Sequence, residues 1–147
     1  MPNLAQLLTT KSSAEFQHVF NTCREIARKF DEIDGVYVVG GVVRDLILDR
    51  KPGDIDLSVV GDARLFAEAL ANRLGFSPPV ESQFLTYKIS TSGASSNVSG
   101  DIEAIDVVNS RTETYAGPAA LPDITPSSIE DDLKRRDFTI NSMAISL

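Results

Sequence analysis

The chain has 147 residues, 42% hydrophobic and 24% charged, with one cysteine and a formal net charge of −7. That is the make-up of one soluble globular domain, large enough to bury a core without a staple, and the lone Cys23 excludes a disulfide framework and a Cys-based zinc site. No apolar run reaches the roughly 20 residues of a membrane span, nothing at the start reads as a secretory leader, and the acidic balance argues against a surface that grips nucleic acid throughout. The expectation is a cytoplasmic protein with no membrane contact, in which a local nucleotide or nucleic-acid site remains open.

Phe16, Val19, Phe20, Cys23, Ile26, Ala27 and Phe30 recur at helical spacing behind Ser13, predicting a capped amphipathic helix over 12–30. An Asp34-Gly35 turn leads into Val36–Val39, a β-branched run that reads as a buried strand ending at Gly40-Gly41. A short helix over 42–49 follows, then a Lys51-Pro52-Gly53 turn and a second strand over 54–60. Leu65, Phe66, Ala69, Leu70 and Leu74 predict a helix starting at Asp62 and closed by Gly75. Two further strands are predicted over 83–91 and 101–109, separated by a loop rich in serine and glycine over 92–100. The segment 117–128, with Pro118, Pro122 and Pro126, predicts an irregular crossing. A helix capped by Ser128, acidic in its first turn and basic towards Arg136, leads to an apolar segment over 138–145 that reads as strand or helix. No repeat or linker divides the chain, so 1–147 is read as one domain.

In a strand, side chains alternate between faces, so Asp54 and Asp56 point one way while Ile55, Leu57 and Val59 point to the core. Two carboxylates one pleat apart repel unless a cation lies between them, and both supply hard oxygen ligands suited to Mg²⁺. Taken alone, the pair also fits two solvated acids at a strand edge. The preceding Gly40-Gly41 leaves backbone N–H groups where no Cβ blocks a phosphate, although such a pair also serves tight turns. Arg44 is placed to reach a triphosphate with Asp45 orienting it, or the two form an ordinary surface ion pair. The spacing fits neither a dinucleotide fingerprint nor a P-loop. On the strand over 101–109, Asp106 shares a face with Ile102, Ala104 and Val108, where an acid is costly unless paired or liganded. Asp106 is therefore the preferred third carboxylate, with Glu103 second.

Gly40-Gly41-Val42-Val43-Arg44-Asp45-Leu46, then Pro52-Gly53-Asp54-Ile55-Asp56-Leu57, then Asp132 to Ala144, with Arg135-Arg136-Asp137-Phe138-Thr139-Ile140-Asn141, together resemble the class II tRNA nucleotidyltransferase and bacterial poly(A) polymerase family. The resemblance implies an α+β, polymerase-β-like nucleotidyltransferase fold, a small mixed sheet flanked by helices. It implies a metal-dependent transfer of AMP or CMP from ATP or CTP to an RNA 3′ end, tRNA first, with release of pyrophosphate. By the same resemblance, Asp54, Asp56 and a third acid, for which Asp106 is the preferred candidate, hold two Mg²⁺ ions, with Mn²⁺ as a substitute. Gly40, Gly41, Arg44 and Asp45 belong to the motif that meets the triphosphate, and Arg135, Arg136, Asp137 and Asn141 to the one that recognises sugar and phosphates. Read without the resemblance, Arg135 and Arg136 would serve the dipole of a helix end. The family's helical neck, body and tail, which read the base and hold the tRNA, lie beyond its last motif here. Two other readings stay open: a noncatalytic Mg²⁺/NTP-binding module, and transfer to an acceptor other than RNA.

Overall fold

The computed structural model describes residues 3–92 and 100–147. In chain order the elements are α1 (Leu4–Thr10), α2 (Ala14–Lys29), β1 (Ile33–Val39), α3 (Gly41–Ile47), β2 (Asp54–Gly61), α4 (Ala63–Leu74), β3 (Val80–Glu81), β4 (Thr86–Ser90), β5 (Ala104–Asn109), β6 (Arg111–Thr114), β7 (Asp123–Pro126), α5 (Ile129–Lys134), a 3-10 turn (Thr139–Asn141) and β8 (Ala144–Ser146).

The helices form where their caps and stripes place them. Ser13 accepts the Phe16 amide at 3.4 Å to start α2, which buries Phe16, Val19, Phe20, Cys23 and Ile26. Asp62 accepts the Leu65 amide at 2.9 Å to start α4, and Gly75 in a left-handed conformation ends it. Ser128 caps α5 through the Asp131 amide. Helix α1 has no periodic signal in the sequence because its 7 residues make about two turns. It is held by Asn3 at its N-terminus and by burial of Leu7 and Leu8.

Six strands build one mixed sheet in the order β3-β4-β5-β2-β1-β8, with β2 and β5 parallel at its centre and the other neighbours antiparallel. The parallel pair needs a crossover, which α4 and the β3–β4 hairpin supply. One sheet face, carrying Val36, Val38, Ile55, Leu57, Val59, Ile89, Ile105 and Val107, joins residues of α2 and α4 in a single core. Each large side chain buried there contributes about 1.5 to 3 kcal/mol over leaving it in water. The alternation within β2 then sends Asp54 and Asp56 to the opposite face. This is the expected small mixed sheet with flanking helices.

Several boundaries differ from expectation, each for a local reason. Asp34 and Gly35 lie inside β1, because Ile33 and Gly35 pair with Gly61 and Val60 across an irregularity in the ladder, so cross-strand bonds override the turn signal. The strand expected over 83–91 begins only at Thr86, since Ser82 accepts the Phe84 amide in a tight turn that carries Leu85 to a φ of 56°. The strand expected over 101–109 begins at Ala104: Lys51 binds Asp101 at 2.8 Å and the Glu103 amide donates to the Gly53 carbonyl, which draws 101–103 towards the start of β2. Ile102 is consequently buried in the core rather than sharing a face with Asp106. The supposedly irregular crossing contains β7, paired antiparallel with β6; Pro118 and Pro122 fall in the connection and Pro126 at the strand end, where no ladder amide is required. The 138–145 segment is a 3-10 turn followed by the start of β8. Most of the loop expected over 92–100 lies outside the described residues.

Gly61 ends β2 with a φ of 113°, and a Cβ built there would sit 2.2 Å from the Glu32 carbonyl oxygen. The same carbonyl accepts the Asp62 amide at 2.9 Å, so the backbone cannot retreat without losing that bond. Gly61→Ala should lower stability by about 2 to 3 kcal/mol, read as a fall in the urea midpoint at unchanged slope.

Candidate active site

Strand β1 delivers the chain to Gly40, whose φ of 68° and ψ of −133° lie where only glycine is comfortable, and α3 starts at the next residue. The Gly40 amide donates to the Met143 carbonyl at 3.4 Å, tying this turn to the segment before β8 rather than leaving that N–H for a ligand. In α3, Arg44 Nε donates to Asp45 Oδ1 at 2.9 Å, and the guanidinium folds back over Gly41.

Beside the turn, Asp54 and Asp56 rise from β2, and the parallel register sets Asp106 directly opposite Asp56. On the other side of Asp106 stands Lys88 of β4. Gly41, Val42, Arg44, Asp45, Pro52, Gly53, Asp54, Asp56 and Glu103 line a cleft of about 360 Å³. Both candidates for the third carboxylate are thus at hand, Asp106 beside Asp56 in the sheet and Glu103 on the cleft wall.

The carboxylates are poorly compensated. Asp56 is pushed up to about 6, first by burial and then by the negative charges of Asp106 and Asp54, with Arg136 partly offsetting them. Burial also raises Asp106; Lys88 opposes the rise and Asp54 adds to it. Among the described residues, no three His, Cys, Asp or Glu side chains converge as a ready-made metal cluster. The donors are nonetheless hard oxygens crowded with like charge, and a divalent cation relieves that crowding. By donor chemistry, Asp54, Asp56 and Asp106 fit Mg²⁺.

Helix α5 brings the last motif to the same place. Asp132, wholly buried, accepts from Arg135 Nε at 3.1 Å, from Arg136 Nη2 at 3.1 Å and from the Arg111 amide at 3.3 Å. Arg135 also meets Glu113 Oε1 at 3.2 Å. Burial alone would raise Glu113, but the Tyr115 hydroxyl and the Arg135 and Arg111 guanidinium groups hold it below the ordinary value. Arg136 reaches towards Gly40: its Nη1 and Asp56 Oδ2 are each 3.7 Å from where a Gly40 Cβ would lie. Asp137 is exposed past the helix end, and Asn141 closes the 3-10 turn that packs by α3. Neither lines the cleft described above. The sequence reading gave Asp132 no role of its own, although its spacing to Arg135 and Arg136 is that of ion pairs on one helix face.

Known proteins are similar to this chain in sequence and fold. The chain is 44% identical over 125 residues to the A-adding tRNA nucleotidyltransferase of Geobacter sulfurreducens, covering 84% of this chain and 13% of that protein. It is 37% identical over 145 residues to the A-adding tRNA nucleotidyltransferase of Halalkalibacterium halodurans, covering 99% of this chain and 32% of the other. The chain therefore spans a third or less of the length of these relatives. Among solved structures, an apo CCA-adding enzyme superposes with a TM-score of 0.79 at 34% identity, over 97% of this chain and 31% of that one. A CCA-adding enzyme with ATP gives 0.73 at 32% identity (98% and 30% covered), and the Thermotoga maritima CCA-adding enzyme complexed with tRNA gives 0.70 at 31% (97% and 29% covered). A family model described as the poly A polymerase head domain matches residues 36–147, which takes in the glycine turn, the acidic strand and the arginine-bearing helix. The relatives, the solved structures and the matched domain agree, and the chain belongs to the poly(A) polymerase head domain family.

Proposed function

We propose that this chain is the catalytic head, residues 1–147 as one unit, of a cytoplasmic template-independent RNA nucleotidyltransferase. It transfers AMP or CMP from ATP or CTP to an RNA 3′ end, with tRNA as the acceptor. The observation that carries the reading is the row of Asp54, Asp56 and Asp106 on the open sheet face beside the Gly40 turn and Arg44. Relatives that act on tRNA and solved neighbours bound to ATP and to tRNA support it.

Nucleotidyl transfer is an in-line displacement: the acceptor 3′-hydroxyl gives up its proton, to a carboxylate of the acidic row such as Asp106 or to water, its oxygen bonds to the α-phosphorus, the bond to the bridging oxygen breaks, and pyrophosphate leaves with the electron pair. Asp54, Asp56 and Asp106 would hold Mg²⁺, which when bound supplies charge stabilisation for both the attacking and leaving oxygens. Arg44, oriented by Asp45, and Arg136 would neutralise phosphate oxygens beside Gly40 and Gly41. Arg135, Asp137 and Asn141 belong with them to the ribose and phosphate motif, and hydrogen bonding to a 2′-hydroxyl there would reject deoxyribonucleotides.

The test is incubation of the chain with Mg²⁺, radiolabelled ATP or CTP, and tRNA transcripts ending one or two nucleotides short. Label on the tRNA is expected, with less from dATP. Nucleotide binding by calorimetry without label on any acceptor would leave the noncatalytic module; label on something other than RNA would move the reading to another acceptor.

A further inference from the structure

The two neighbouring arginines of α5's end are treated differently by the fold. Arg135 has all of its guanidinium nitrogens on carboxylates: Nε and Nη2 on Asp132 Oδ1 at 3.1 and 3.0 Å, and Nη1 on Glu113 Oε1 at 3.2 Å. Among the described residues, Arg136 is held at one point, Nη2 on Asp132 Oδ2 at 3.1 Å. Its Nη1 faces the Gly40 turn and Asp56, and its Nε is buried without a hydrogen-bond partner among the described residues. A guanidinium anchored by one nitrogen, with another aimed at a glycine turn, is set to donate to an incoming anion.

We propose that Asp132 is a positioning residue that divides labour between the two arginines. Its Oδ1 locks Arg135, together with Glu113, into the support between α5 and the β6–β7 ribbon. Its Oδ2 holds Arg136 aimed at the phosphates of a nucleotide over Gly40. This rests on the nucleotide-site reading above and sharpens it, since one arginine of the pair, not both, meets the triphosphate. Asp132 touches no substrate, being wholly buried behind both arginines. Its carboxylate is the right partner because it accepts on both oxygens at once, which an amide cannot do.

The experiment is side-chain amide spectroscopy of ¹⁵N-arginine-labelled chain, the Nε–H signals assigned by Arg135→Lys and Arg136→Lys, combined with calorimetric titration of ATP and Mg²⁺. On adding ATP and Mg²⁺, the Arg136 Nε–H signal should move and the Arg135 signal should stay. Asp132→Asn should leave Arg136 without its fixed signal and weaken ATP about tenfold or more. Adding Arg136→Gln to that variant should cost little further, the non-additivity of two residues acting as one. ATP that shifts Arg135 as much as Arg136 overturns the assignment, as does a folded Asp132→Asn protein that binds ATP like wild type. Should Asp132→Asn fail to fold, the wild-type spectrum decides alone. A wild type that binds no ATP removes the nucleotide-site reading and this proposal with it, whereas the first two outcomes remove this proposal only.

Discussion

Replacing Asp56 by asparagine is expected to abolish nucleotidyl transfer while making the metal-free protein more stable above about pH 6. The carboxyl is raised from an ordinary value near 3.8 to about 6 by burial and by Asp106 and Asp54. The folded form therefore binds a proton more tightly than the unfolded form does. The resulting penalty is absent below about pH 4, grows between the two values, and is complete above the upper one. A rise from 3.8 to about 6 corresponds to about 3 kcal/mol at most, and relaxation of a partly hydrated group reduces this, so a gain of about 1 to 3 kcal/mol is expected for Asp56→Asn at pH 8. Thermal melts of wild type and variant in EDTA should converge towards pH 4 and separate above pH 6. Mg²⁺ at a hundred times its dissociation constant should then stabilise wild type by about 2.7 kcal/mol and leave the variant nearly unmoved. A variant less stable than wild type at pH 8 would mean that Asp56 is satisfied by something within the chain.

Asp132→Ala should have the opposite signature, a large loss of stability. Removing a buried carboxylate strands Arg135 and Arg136 and uncaps the Arg111 amide. Breaking one side of a buried ion pair costs about 3 to 5 kcal/mol, because the remaining charge is left without compensation. Against a total stability of about 5 to 15 kcal/mol for a domain, that places the variant near unfolding at 37 °C. Chemical denaturation should show the midpoint falling steeply, with little salt dependence because the network is shielded from solvent. A change below about 1 kcal/mol would show that the arginines find other partners.

Legibility in the sequence followed the physical range of each determinant. The Ser13, Asp62 and Ser128 caps, the left-handed Gly75 and the alternation of β2 act within a few residues, and the elements they define match. Asp106 was singled out in the sequence for its apolar neighbours, of which Ile102 lies in the core instead, and its place opposite Asp56 comes from a parallel pairing that no local pattern encodes. What was displaced depended on distant partners: Asp34-Gly35 was drawn into β1 by Gly61 and Val60, and 101–103 out of β5 by Lys51 and Gly53. The glycine turn, the acidic strand and the arginine pair were visible as motifs. That one arginine is anchored at every nitrogen and the other at a single point depends on Glu113, some twenty residues earlier in the chain and brought in by the β6–β7 ribbon.

Cys23 sits with no exposed surface in α2, on the far side of the sheet from the acids, and burial pushes its thiol well up from the ordinary range. Only the thiolate alkylates readily, so the folded molecule is inert and modification must wait for an opening that releases the core. Because it is the sole thiol of the chain, the labelling rate is a built-in clock for that opening, readable by mass without any engineered probe. Mg²⁺ and nucleotide, binding on the opposite face, should slow this clock by the same factor by which they stabilise the fold, turning a distant cysteine into a gauge of occupancy at the acidic row.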